Sequence, residues 1–224
     1  MSEQISALMA DNYMPSISAE RDRERNSLGQ RIWDSWKNMR AATRRLIEEK
    51  PSEHRLLFFV LLSDMIFFVS WSLKTVVSPV SAVEEYVPLA IGAWLIGALL
   101  LRTAAMYLFS LVVWGTCKMR GGQGTWKATR CGIFLGALAA APVGLFMAIV
   151  TVMMSWLEAD YPIMAAQWVA LPVYWIGLVP FLWLLSLGIA EAHGYKKHTT
   201  TFFVLSGMAL AAMIGAMFLN FISG

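Results

Sequence analysis

Charge is scarce in this chain. Asp, Glu, Lys and Arg make up 15% of the residues against 58% hydrophobic ones, too little to cover a soluble surface. A mean hydropathy of +0.57 points the same way, so bilayer lipid is the expected solvent. Cysteine is scarcer still: Cys117 and Cys131 are the only two, which excludes a disulfide framework and predicts reduced thiols. The three histidines, His54, His193 and His198, stand apart from any carboxylate or cysteine at ligand spacing, leaving no basis for a metal centre or a hydrolase set. Gly121, Gly122 and Gly124 form a glycine-rich turn, but no strand precedes it and no Gly-Lys-Ser/Thr follows, which argues against a nucleotide loop. No short apolar segment with a small-residue cleavage site begins the chain, so no removed signal peptide is expected and the first membrane helix would act as the uncleaved signal. No cofactor is expected, and a net charge of +3 comes with no nucleic-acid module.

What the chain does have is long apolar sequence. Crossing a hydrocarbon core about 30 Å thick takes about 20 residues of helix. Five stretches reach that length, at about 56–77, 87–116, 129–155, 165–191 and 199–222. The predicted fold class is an all-α integral membrane protein, a bundle of five transmembrane helices. Pro142, Pro172 and Pro180 mark possible kinks in the third and fourth spans. Basic residues resist translocation, and they set the orientation. The segment before Leu56 holds ten of them, among them Arg21, Arg31, Arg45 and Arg55. The first and third connections carry Glu84, Glu85, Glu158 and Asp160, whereas the second and fourth carry Lys118, Arg120, Lys127, Arg130, Lys196 and Lys197. This alternation predicts a cytoplasmic N-terminus and a periplasmic C-terminus in a bacterial cytoplasmic (inner) membrane. Trp114, Trp126, Trp156, Tyr161, Trp168 and Tyr195 fall near span ends, where amphipathic rings favour the interface, while Trp175 and Trp183 are read as packing residues.

The chain before the membrane divides in two. Residues 1–27 are polar without an apolar period and are expected to be disordered. Residues 28–50 read as a basic amphipathic interfacial helix: Leu28, Ile32, Trp36, Met39, Thr43 and Leu46 recur at three and four, with Lys37, Arg40, Arg44 and Arg45 largely elsewhere. Such a helix would bind anionic lipid, each basic residue contributing about 1 kcal/mol near the surface, or pack on a partner or on the protein's own loops.

Asp64 and Arg102 are the ionisable residues deep within predicted spans. Unpaired charge is costly in lipid, which makes them a candidate ion pair that fixes helix packing. Four-residue rows of small side chains, Gly132, Gly136, Ala140 and Gly144 in the third span and Gly207, Ala211 and Gly215 in the fifth, suggest faces for close helix approach.

Two short motifs carry a resemblance. Gly121-Gly122-Gln123-Gly124-Thr125-Trp126 is similar to the cytoplasmic loop of bacterial members of the Yip1 family. Leu187-Gly188-Ile189-Ala190-Glu191-Ala192-His193-Gly194 is similar to the Leu-Gly-x-x-x-x-His-Gly ending of that family's fourth span. The resemblance covers residues 55–222, the expected membrane domain, and implies its five-span layout. Eukaryotic relatives bind Rab-type GTPases and carry an Asp-Leu-Tyr-Gly-Pro motif that this chain lacks, so GTPase binding is not implied. What the resemblance implies is a non-enzymatic scaffold or accessory protein that associates with other membrane proteins or with lipid. The alternatives are permeation of a small solute, lipid or proton past Asp64 and Arg102, and lipid chemistry by Glu191 and His193. The last pair lies two residues apart, on different helix faces.

Overall fold

A computed structural model describes residues 27–77, 89–157, 160, 161, 163 and 177–223. The polar segment before Ser27, the acidic Glu84, Glu85 and Glu158, and the start of the fourth predicted span with Trp168, Pro172 and Trp175 lie outside the described residues.

Among those residues the fold is all-helical. Six helices follow in order: α1 (Leu28–Glu48), α2 (Glu53–Val77), α3 (Leu89–Met119), α4 (Trp126–Leu157), α5 (Leu178–Ala192) and α6 (Thr199–Ser223). Three are long and apolar enough to cross a membrane, through Glu53–Leu73, Ile96–Met119 and Trp126–Leu157; the apolar stretches Leu178–Ala192 and Thr199–Ala211 are shorter. Pro142 lies within the unbroken α4. Pro180 falls in the first described turn of α5, where a helix has no use for the missing N–H; the chain just before Gly177 lies outside the described residues.

α4 is the axis of the bundle. Every residue from Ala128 to Ala140 is buried, while α2, α5, α1 and α3 all pack on this helix. Leu56, Phe59 and Val60 of α2 and Leu185 and Ile189 of α5 close on Ile133, Phe134 and Leu138. The outside is apolar as well: Leu101, Leu108, Phe146, Trp156 and Phe203 face outward. Lipid is as apolar as leucine, so such helices associate through van der Waals packing and close approach more than through water exclusion.

The small residues divide on this point. A β-carbon on Gly132 would lie 2.5 Å from the Gly188 carbonyl oxygen and one on Gly136 would lie 3.2 Å from Leu185 Cα, so both sit in the α4–α5 crossing. Among the described residues, Gly144, Gly207 and Gly215 meet nothing within 4 Å. α6 rests on α5 through its first turns, at Thr201 and Leu205, while Gly207 and Gly215 are exposed among the described residues.

The segment predicted as one amphipathic helix is broken. Asn38 takes extended dihedrals (φ −154°, ψ 86°) inside α1, and its side chain accepts from the Ala41 N–H, capping a second helical segment as Ser27 caps the first. The two segments fold back on each other, so that Arg31 meets Glu49 at 3.1 Å and Arg45 meets Asp34 at 3.2 Å.

Candidate functional site

The two glycine-containing motifs end helices in the same way. α3 stops at Gly121, whose φ of +80° suits glycine; its N–H donates to Lys118 O and the Gly122 N–H to Cys117 O. α5 stops at Gly194 (φ +71°), whose N–H donates to Glu191 O while the Tyr195 N–H donates to Ala190 O. Both are Schellman caps, in which a left-handed residue turns the chain and pairs the last carbonyls.

The two caps pack on each other. The Gln123 N–H donates to His193 O at 3.3 Å, and the Tyr195 hydroxyl donates to Cys117 O at 2.9 Å. A β-carbon on Gly124 would lie 2.4 Å from Ala192 O, and one on Gly122 would lie 2.6 Å from His193 Nδ1. Glycine is therefore required at 121 and 194 for backbone conformation, and at 122 and 124 for space.

His193 fills the centre of this junction and is 2% exposed. Its Nε2 lies 2.9 Å from the Thr129 hydroxyl, which itself donates to Thr125 O. That hydroxyl has one proton, so Nε2 is assigned as the protonated nitrogen and Nδ1 as a bare acceptor, buried without a partner among the described residues. Burial pushes the imidazole below its usual 6.5, and the nearby Lys118 cation pushes the same way. Burial likewise raises the Tyr195 phenol.

Glu191, on the last turn of α5, faces α1. Arg44 reaches it with Nη2 at 2.6 Å and Arg40 with Nε at 3.3 Å, and Arg40 also donates to the backbone oxygens of Tyr195 and Lys196. Trp36 reaches the opposite way. Its indole N–H donates to Ala139 O at 2.7 Å, three residues before Pro142 in the turn whose backbone pairing a proline disturbs. Met39 is buried in the same contact and Ile32 packs beside it, whereas Lys37 faces outward over the Trp33 ring at 5.2 Å. Arg45 serves the hairpin itself, through Asp34.

This clamp and the ion pair between Arg130 and Glu53, at 2.6 Å, join helices distant in sequence. The spacing carried no sign of either partner choice. The Asn38 break did carry one, because asparagine is a favoured N-cap. Deeper in the bundle, Arg102 Nε lies 2.6 Å from Asp64 Oδ1, and Thr103 donates to Oδ2 at 3.0 Å. Asp64 is fully buried, and the Arg102 guanidinium lies over the Phe67 ring at 3.7 Å. No group of three or more His, Cys, Asp or Glu residues able to hold a metal ion occurs among the described residues. Both cysteines are free and buried.

Glu191 and His193 are both engaged in structural contacts, one by two arginines and the other inside the glycine junction. No match was found among curated proteins or solved structures. The pattern of the Yip1 domain matches residues 33–219, which takes in the greater part of α1 as well as the helices that follow. With its two helix-ending motifs inside that match, this chain belongs to the Yip1 family, whose shared unit is the Yip1 domain.

Proposed function

We propose that this protein is a non-enzymatic scaffold or accessory subunit that holds α1 at the membrane surface as a docking element for other membrane proteins and anionic lipid. The proposal includes five crossings, a cytoplasmic N-terminus, a periplasmic C-terminus and residence in a bacterial inner membrane. The observation that carries it is the double anchoring of α1, through Arg40 and Arg44 on Glu191 and through Trp36 on Ala139. An element tied at both levels keeps a fixed outer face. That face presents Trp33 and Lys37, with Trp33 51% exposed, a pairing of aromatic ring and cation suited to headgroups. The same anchoring draws on the protein's own helices, which supports α1 as part of the domain as well as a lipid contact.

Permeation is the weaker reading, because both Asp64 oxygens are occupied by neighbouring side chains. Flux through reconstituted protein that depends on Asp64 and Arg102 would favour it.

Gentle detergent extraction followed by crosslinking tests the scaffold reading. A defined larger complex is expected, and it should be lost when residues 28–48 are replaced by a flexible linker while insertion persists. A solitary monomer under every extraction condition overturns it.

A further inference from the structure

Between the end of α3 and the start of α6 lies an open cleft of about 220 Å³, lined by Arg120, Tyr195, Lys196, Lys197, Thr200 and Thr201. No carboxylate lines it among the described residues. The one acid of the neighbouring α5 end, Glu191, is turned to Arg40 and Arg44. Arg120, Lys196 and Lys197 enter no ion pair among the described residues, so three cations converge with their charge unspent. Like charges brought together cost free energy unless something compensates them.

The donors around the cleft are of one kind. Thr201 is buried at 8% exposure, and its hydroxyl has no partner among the described residues; Thr200 stands beside it. Backbone pairing at this end of α6 begins with the Phe202 N–H donating to His198 O, which leaves the N–H groups of Thr199, Thr200 and Thr201 in the unpaired first turn. A guanidinium, two ammonium groups, two hydroxyls and a helix N-terminus form a set that fits tetrahedral oxyanions, with the arginine able to engage two oxygens at once.

We propose that this cleft binds a phosphate group, either that of an anionic lipid headgroup or that of a soluble phosphate. Arg120, Lys196 and Lys197 supply the charge, and Thr200, Thr201 and the first turn of α6 supply the neutral donors. The Tyr195 junction holds α3 and α6 in register around it through the hydroxyl bond to Cys117 O. The site is independent of the scaffold reading, since neither α1 nor its clamp lines the cleft.

The test is residue-resolved acetylation of Lys196 and Lys197, read by mass spectrometry on the full chain. One arm uses phosphate-free maltoside micelles with and without inorganic phosphate. The other compares nanodiscs of phosphatidylcholine alone with nanodiscs in which part is replaced by phosphatidylglycerol. Several-fold slower acetylation of both lysines is expected in at least one arm, with the rate at Lys50 unchanged in the micelle arm. Protection by inorganic phosphate identifies a soluble ligand, and protection by phosphatidylglycerol alone identifies a lipid headgroup. Arg120→Gln, and independently Lys197→Gln read at Lys196, should abolish the protection. Both replace exposed side chains that enter no ion pair among the described residues, and because each relieves like-charge repulsion neither should lower the melting temperature. No protection in either arm, or equal protection in wild type and both variants, overturns the proposal.

Discussion

Gly132 of α4 and Gly188 of α5 face each other with no room for a β-carbon on either: one built on Gly132 would lie 2.5 Å from Gly188 O, and one on Gly188 would lie 2.5 Å from Gly132 O. The obstacle is backbone in both directions, and backbone cannot rotate away as a side chain can. Glycine inside a helix ordinarily costs about 0.5–1 kcal/mol relative to alanine, so the usual sign of a Gly→Ala change is favourable.

Here the sign reverses. Gly188→Ala or Gly132→Ala forces α4 and α5 apart and should destabilise the protein by about 1–3 kcal/mol, the range of overpacking. Gly207→Ala, at a position that meets nothing among the described residues, should be neutral or slightly stabilising. Thermal unfolding of the three variants in one detergent checks this, and equal shifts at 188 and 207 would show that the crossing does not set the packing.

The Glu191 clamp predicts a change in α1 with little change in the bundle. Glu191→Gln removes the charge shared by Arg40 and Arg44. Arg44 is 65% exposed, so solvent screening keeps its share small, and the total should be about 1 kcal/mol. That is a several-fold increase in the detached population of α1. Trypsin cleavage within residues 31–45 should accelerate to match, while the melting temperature of the bundle hardly moves. Unchanged cleavage would mean that Trp36 alone secures the hairpin.

Acid should loosen the junction between the two caps. His193 is held neutral, with a folded-state pKa below 6.5. A group depressed in this way takes up protons more readily when its surroundings open. Its contribution is therefore complete above about pH 6.5 and declines as pH falls below that value. The apparent melting temperature of wild type should drop from pH 7 to pH 5 more than that of His193→Gln, which has no imidazole to titrate. Parallel pH profiles for the two proteins would remove His193 as the cause.

These residues show what was legible beforehand. All-helical character was readable because apolar length is a property of the chain itself. The Asp64–Arg102 contact was foreseeable as well, since two charges in apolar spans have few other partners. The break at Asn38 escaped because Leu28, Ile32, Trp36, Met39, Thr43 and Leu46 keep one period across it, and Asn38 lies off that face. Partner choice also escaped. Glu191 and Arg44 are 147 residues apart, and no local pattern reveals which carboxylate an arginine will meet. Nor does four-residue spacing separate Gly132, set against backbone, from Gly207, set against nothing among the described residues. That distinction depends on where the neighbouring helix crosses.

The Asp64–Arg102 pair supplies a test of what buried charge does in this bundle. Asp64 is fully buried between Arg102 and Thr103, while Arg102 is 27% exposed and lies over Phe67. The two partners should therefore respond unequally to loss of the other. Asp64→Asn leaves a cation that keeps its ring contact and can extend toward the surface, at a cost of about 1–2 kcal/mol. Arg102→Gln strands a buried carboxylate with one hydroxyl donor and should cost more, about 3 kcal/mol. Because each single change includes the penalty of an abandoned partner, the double variant should cost less than the sum, with a coupling of at least about 1 kcal/mol. Unfolding of the four proteins in a mixed-micelle titration measures the cycle. Additive costs would show that the contact contributes no net stabilisation, and equal single costs would show that burial does not distinguish the two charges.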